Sequence, residues 1–406
     1  MNYEKLWAKR TKYMRASEIR QLLRWVVEGK VISFGGGMPD PKLFPRKELA
    51  EIASEVIIEK GDKALQYGPT KGISELREEL NKFMREEGFK INGSENIIIV
   101  NGSQQGLDIL GRILIDPGDI VIVELPTYLA AINAFKQYEP EFVGIPIDDQ
   151  GMITEALEDK IKELERKEKK IKFIYTIPTC QNPTGLSMSM DRRKHLLEIA
   201  SKYDLLIIED DPYSYYLYEK VDFKHLKAMD TEDRVVYMST FSKILAPGFR
   251  IGWVAGNEEI INKIALAKQS MDLCTSPLTQ YITYEALRKG VIKRHIPRIR
   301  GAYREKRDIM LKALEKHMPE GCKWVKPIGG MFIFAWVPKQ IDTKKMLMKC
   351  IKEYGVAYVP GQSFHVDGSG KNTMRLNFTY PSKEEIEIGI ERLAKAIKEE
   401  LSIKTD

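Results

Sequence analysis

Cysteine is scarce in this chain: four residues in 406, at Cys180, Cys274, Cys322 and Cys350, with no CxxC pair among them. That scarcity argues against a disulfide framework and against a zinc cage, so reduced thiols and no bound metal are expected. Also missing is any apolar run near the roughly 20 residues needed to span a bilayer. The first ten residues, Met1 to Arg10, are charged and have no apolar core behind them. Neither a membrane anchor nor a secretory leader is expected, and the chain reads as a cytoplasmic protein. Nor does one sign of charge dominate. The 64 basic and 58 acidic residues leave +6, and they are interspersed, with no long basic block and no interleaving of arginine with aromatic residues. Nothing calls for nucleic acid. Internal repeats are absent, and the one low-complexity stretch, Glu163 to Lys170, reads as a solvated helix face and loop.

What the chain does have is apolar content. With 43% hydrophobic residues over 406 positions it can bury a large core, arranged as two domains or as one large domain with a satellite. From about Pro45 to Gly290, short β-branched runs alternate with amphipathic stretches of helical period. Ile97 to Val100, Ile120 to Val123, Ile171 to Tyr175, Leu205 to Ile208 and Arg234 to Met238 are the strand candidates. Most are continuously apolar, as strands buried on both faces are, which predicts an α/β fold with a mostly parallel sheet between helices. The end of the chain differs. His295 to Met318 predicts a long charged helix, followed by strands at Trp324-Val325, Met331 to Val337, Val356 to Val359 and Met374 to Phe378 in a smaller α+β domain. Ser382-Lys-Glu-Glu385 is a capping-box signature for a last amphipathic helix running to about Leu401.

In open α/β sheets ligands collect at the carboxyl ends of the strands, so the residues just past each apolar run matter most. The stretch from Thr240 to Arg250 sets Lys243 among the hydroxyls of Thr240 and Ser242, with Arg250 seven residues on. A lysine that bonds to an aldehyde must be partly deprotonated, and a neighbouring cation lowers its pKa. Arg250 would do that while gripping a phosphate with its planar fork. A polar turn with a solvated lysine is the plainer reading of this motif alone. After Ile97 to Val100 comes Gly102-Ser103-Gln104, a small-residue turn opening a helix, suited to a phosphate or simply a loop. After Ile120 to Glu124 comes Tyr128, placed to lie on an aromatic ligand or to pack in the core. Asn182 precedes a Pro-Thr-Gly turn. Glu209-Asp210-Asp211 end a very apolar strand, where a carboxylate needs a cation or several donors, and helix capping is the alternative role for each.

These motifs occur in one order, Gly-Ser-Gln, Tyr, Asn-Pro, Asp-x-x-Tyr, Ser-Lys, Arg. In that order and spacing the chain resembles the fold-type I aminotransferases that use pyridoxal 5'-phosphate (PLP), from about Arg15 to Leu401. Ser33-Phe-Gly-Gly-Gly-Met-Pro-Asp40, Leu65-Gln-Tyr-Gly-Pro-Thr70, Gly329-Gly-Met-Phe332 and Ala16-Ser-Glu-Ile-Arg20 narrow the resemblance to the branch of 2-aminoadipate, kynurenine and archaeal aromatic aminotransferases.

The resemblance implies an N-terminal segment over residues 1–45, packing with the small domain and the active site, a large PLP-binding domain over 46–290 and a small domain over 291–406. It implies Lys243 as the Schiff-base lysine and proton shuttle and Asp210 as the partner of the pyridinium nitrogen. Asn182 and Tyr213 would bond the phenolic oxygen and Tyr128 would stack on the ring. Ser103, Gln104, Thr240, Ser242 and Arg250 would hold the phosphate, joined by Tyr67 from the other subunit of a homodimer with shared sites. Arg375 would pair with the substrate carboxylate, Gly37 would line the substrate, and Arg20 would meet acidic side chains. Departures from the family pattern are Asn101-Gly102 ahead of the Ser-Gln pair, Cys180, and Thr240 in place of a frequent serine. The expected reaction is transamination of 2-aminoadipate, aromatic and branched-chain amino acids with 2-oxoglutarate. A β-lyase or decarboxylase on the same scaffold is the enzymatic alternative. A PLP-sensing regulator is the alternative from another class, and it would need a DNA-binding segment of about 60 residues ahead of Ser33.

Overall fold

Ile97–Val100 carries no polar side chain, and such a strand is stable only where both of its faces are covered. The computed structural model describes residue 1, residues 3–14 and residues 31–403. Its first strand is the two-residue β1 (Ile32–Ser33), and Ile97–Val100 is β2, fully buried at one end of an eight-stranded sheet. The sheet continues with β3 (Ile120–Leu125), β4 (Glu141–Asp148), β5 (Gly151–Met152), β6 (Ile171–Thr176), β7 (Leu206–Asp210), β8 (Val235–Thr240) and β9 (Gly252–Ala255). Across the sheet the order is β2-β9-β8-β7-β6-β3-β4-β5.

Neighbours from β8 through β7, β6 and β3 to β4 are parallel, while β9 runs antiparallel to both β8 and β2. Two reversals leave β2 pointing the same way as β8. The carboxyl ends of β2, β3, β6, β7 and β8 therefore lie along one edge of the sheet. All five strand candidates are present. Three further strands escape the apolar-run criterion for physical reasons. β4, which begins Glu141-Phe-Val-Gly-Ile-Pro146, mixes charge, glycine and proline beside the short edge strand β5; β9 is four residues long and opens on a glycine.

Side-chain parity divides the core in two. Ile120, Ile122, Ile174, Ile207 and Val235 point to one face, where they meet Leu157 and Ile161 of the helix Thr154–Arg166 and Leu196 of the helix Met190–Lys202. Val121, Val123, Phe173, Tyr175, Ile208 and Val236 point to the other face and join the larger cluster. Covering both faces removes several kilocalories of exposed apolar surface per strand, at about 25 cal/mol per Å².

Beyond the long helix Val291–His317 comes a four-stranded antiparallel sheet. It is built from β10 (Lys323–Trp324), β11 (Phe332–Trp336), β13 (Val359–Pro360) and β14 (Thr373–Asn377) in the order β10-β11-β14-β13, with β12 (Val356–Ala357) elsewhere. Here one expectation is corrected, because the Val356 to Val359 run is not a single strand of this sheet. β12 pairs in parallel with β1, Ile32 opposite Val356 and Ser33 opposite Ala357. Tyr358, buried between β12 and β13, donates its hydroxyl to the Thr343 carbonyl at 2.7 Å. The N-terminal segment is thereby tied to the C-terminal part of the chain.

The capping box is present in both directions, with Ser382 N donating to Glu385 Oε2 at 2.7 Å and Glu385 N to Ser382 Oγ at 3.1 Å, at the head of the helix Lys383–Ile403. All four cysteines are free. Among the described residues no helix is long and apolar enough to cross a membrane.

Candidate active site

β8 ends at Thr240, whose hydroxyl accepts from Ser242 N at 3.0 Å and so starts the one-turn helix Phe241–Ile244. That turn presents Lys243 at the carboxyl edge of the sheet. Its Nζ donates to the Gly37 carbonyl at 2.7 Å, and its own carbonyl accepts from the Tyr216 hydroxyl. Loss of hydration, reinforced by the positive charges of Arg375 and Arg250, lowers the amine to about 8. A sizeable neutral fraction near physiological pH is what a nucleophilic lysine requires.

Next to the lysine is a cradle for an anion. Ser103 and Gln104 open the helix Ser103–Leu114, and no side chain caps that end, so its first N–H groups lack intrahelical partners. Thr240 Oγ1 and Ser242 Oγ lie 2.9 Å apart. Arg250 reaches Ser242 Oγ at 3.5 Å and the Asn101 carbonyl at 3.2 Å. Two glycines allow this closeness. A Cβ on Gly102, at φ +69, would lie 2.4 Å from Arg250 Nη2, and a Cβ on Gly252 would lie 2.7 Å from Ser103 N. A helix terminus, two hydroxyls and a guanidinium together suit a phosphate.

The three acids after β7 separate into different roles. Glu209 accepts from Leu226 N at 3.0 Å and Lys227 N at 2.8 Å, capping the helix Leu226–Met229. Asp211 accepts from Ser214 N at 3.0 Å, Ser214 Oγ at 2.6 Å and Tyr237 Oη at 2.9 Å. Among the described residues, the Asp210 side chain accepts only from Tyr175 Oη, at 2.7 Å, and its Oδ1 is buried without a partner. Burial, with a smaller push from Asp211 and against the Tyr175 bond, raises its carboxyl to about 7. A buried carboxylate oxygen left open in this way calls for a cationic donor.

Asn182 links the two sides of the site. Its Nδ2 donates to Tyr213 Oη at 3.3 Å, while its Oδ1 accepts from Arg375 Nη1 at 2.9 Å. Arg375, on β14, also donates to the Gly35 carbonyl at 2.8 Å and lies 4.1 Å over the Phe332 ring, and its Nε is buried without a partner. Burial brings its guanidinium down to about 10. Tyr128, half-buried, precedes the helix Leu129–Lys136.

A cavity of about 350 Å³ gathers ten of the residues named from the sequence: Ser103, Gln104, Tyr128, Asn182, Asp210, Tyr213, Thr240, Ser242, Lys243 and Arg250. Arg375 and Gly37 do not line it, but they adjoin it through Asn182 and Lys243. Tyr67 is 79% exposed and does not line it. Arg20 lies outside the described residues. Sequence reading missed Tyr175 and Gly35. No sequence signal marked Tyr175, whose place opposite Ile208, on the same face of the sheet as Asp210, is set by the strand register of the fold. Gly35 contributes only its carbonyl, which no residue type signals. An anion cradle, an open carboxylate oxygen and a depressed lysine around one cavity fit a phosphorylated pyridine aldehyde.

A sequence profile of the family described as aminotransferase class I and II matches residues 30–393. Aromatic-amino-acid aminotransferase 1 of Thermococcus litoralis is 52% identical over 401 residues, covering 99% of this chain and 96% of that protein. The 2-aminoadipate transaminase of Thermus thermophilus is 36% identical, covering 98% of each. The crystal structure of Pyrococcus horikoshii kynurenine aminotransferase, in complex with PMP and with KYN and KYA, superposes with a TM-score of 0.95 at 52% identity, covering 98% of each chain.

Proposed function

The chain belongs to the aminotransferase class I and II family, and on that premise we propose that it moves amino groups from aromatic amino acids, 2-aminoadipate and branched-chain amino acids to 2-oxoglutarate. Its cofactor is PLP, which when bound supplies an aldehyde for amine exchange and a protonated ring that accepts electrons released at the substrate α-carbon.

Lys243 would hold the cofactor through its amine and would serve as the base that carries the substrate α-proton. An amine near 8 serves both as nucleophile and as general base. Asp210 Oδ1, left open in the buried site, would hold a protonated ring nitrogen. Asn182 and Tyr213 would hold the phenolic oxygen. Arg375 binds the substrate carboxylate, and its bond to Asn182 makes carboxylate binding and ring orientation parts of one network. Tyr128 would pack against the ring, while Ser103, Gln104, Thr240, Ser242 and Arg250 would hold the phosphate. Gly37 leaves room for substrate beside Phe332 and offers its carbonyl to the waiting Lys243. Tyr67, exposed on its own chain, completes the phosphate site of a second copy in a homodimer. Arg20 meets the distal carboxylate of acidic substrates.

The observation that carries this reading is the open oxygen of Asp210 in the same cavity as a lysine of lowered pKa. Purified protein given a donor panel is expected to form glutamate only when 2-oxoglutarate is present. Release of ammonia, pyruvate or carbon dioxide without an acceptor would instead identify a lyase or decarboxylase.

A further inference from the structure

Two buried ionisable side chains take no part in the proposed reaction. Glu124, at the carboxyl end of β3, is 2% exposed, and Arg193, in the helix Met190–Lys202, is fully buried. Between them runs the turn 176–184, which carries Asn182. Among the described residues, every hydrogen bond of the Glu124 side chain comes from that turn: from Thr176 Oγ1 at 2.9 Å, Ile177 N at 3.1 Å and Gln181 Nε2 at 3.2 Å. Arg193 takes acceptors from the same turn, the Pro178 carbonyl at 2.7 Å and Thr179 Oγ1 at 2.9 Å, and adds the carbonyls of Met188 and Lys224.

Gln181 extends the grip. Its Nε2 also donates to the Pro126 carbonyl at 2.8 Å, two residues before Tyr128, and its Oε1 accepts from Thr184 N and Oγ1 at 2.9 and 2.7 Å. The turn needs holding. Cys180 sits at φ +51, a left-handed conformation that a non-glycine residue keeps only where its surroundings impose it. Gly329 and Gly330 pack so closely against it that a Cβ on Gly329 would lie 2.7 Å from Cys180 Sγ.

We infer that Glu124 and Arg193 are positioning residues that clamp this turn from opposite chemical sides, the carboxyl group collecting its donors and the guanidinium its acceptors. Through Gln181 the clamp fixes Asn182 relative to Tyr128. Buried ionisable groups are retained here because they orient a loop that has neither helix nor strand to define it. The inference rests on the proposed reading only in taking Asn182 as a partner of the cofactor's phenolic oxygen.

Two measurements on Glu124→Gln and Arg193→Lys test it. The first is amide hydrogen exchange of the apoprotein. Peptides from 176–188 are expected to exchange about 10- to 100-fold faster than in wild type, as loss of a charge-assisted bond implies, with β2 and β8 unchanged. Unchanged exchange in both variants would overturn the clamp.

The second is the pH midpoint of the bound cofactor's visible absorption. Glu124→Gln should move it in the same direction as Asn182→Ala, and the double variant should move it no further than Asn182→Ala alone, because both act through one contact. Faster exchange with a midpoint unmoved by Glu124→Gln, although Asn182→Ala moves it, would make the pair merely structural and overturn the positioning role. A midpoint that Asn182→Ala itself leaves unmoved would refute the reading of Asn182 and the clamp's service to the cofactor, while the exchange data still decide whether the turn is clamped. If Glu124→Gln does not fold, Gln181→Leu leaves both ionisable groups in place and is expected to shift both measurements the same way; no shift in either would count against the inference.

Discussion

Asp210 and Lys243 are each placed in a state that the isolated chain holds at some expense, and both states are measurable without turnover. Asp210 rises from 3.8 to about 7 because its ionised form is buried with an open oxygen. A raised carboxyl pKa means that the folded apoprotein binds a proton which the unfolded chain releases above about pH 4. The stability that this proton contributes is therefore lost progressively as pH rises from about 4 to about 7, and none of it remains above that. A rise of that size corresponds to at most roughly 4 kcal/mol. Apo Asp210→Asn, which has no such charge, is expected to unfold at a higher temperature than wild-type apoprotein at pH 8, with the gap closing at pH 4 to 5; a gap independent of pH would refute the assignment. Lys243 gives a second test. Its amine is mostly neutral only above about 8, so the rate at which apoprotein captures PLP should climb with pH and level off there, and a flat profile would contradict a depressed lysine. Lys243, Asp210, Asn182 and Ser103 are legible in the sequence because each stands just past an apolar run. Tyr175 is not, since a tyrosine inside a buried strand reads as core until its partner is known. Arg375 sits inside β14, among buried residues, and its role was legible only through the family resemblance.

At the scale of elements, the phosphate cradle depends on a helix start that tolerates no side chain. Gly102→Ala would place a Cβ at φ +69 against Arg250 Nη2. The backbone there, at φ +69 and ψ 162, is one that glycine almost alone adopts and disfavours alanine by about 1 to 3 kcal/mol, and moving Arg250 weakens the anion site further. PLP affinity is expected to fall by about tenfold or more, with the circular dichroism of the fold retained; unaltered affinity would remove Arg250 and the helix start from the cradle. The same scale shows where pattern reading stops. Continuous apolar runs mark β2, β3, β6, β7 and β8, because burial on both faces demands them. β9 is set by its neighbours on either side rather than by its own four residues, and the run containing β12 and β13 serves two sheets that no local pattern separates.

For the whole molecule, the proposal requires two copies. Tyr67 is 79% exposed and does not line the cavity of its own chain. Mixing Lys243→Ala protein with Tyr67→Phe protein should, after subunit exchange, create hybrid sites with both wild-type residues and raise activity above either parent. No rise despite demonstrated exchange would place Tyr67 outside the shared site. The charge balance, the lack of long apolar runs and the two sheet-forming regions were legible from the sequence, whereas the pairing of β1 with β12 required the folded chain. The central claim, amino transfer through one cavity, is tested most directly by a single half-reaction. Holoenzyme mixed with phenylalanine and no oxo acid should release one phenylpyruvate per chain and then stop, with no ammonia, until 2-oxoglutarate restarts it with formation of glutamate. Continuous product without an acceptor, or ammonia in place of a stored amino group, would contradict it.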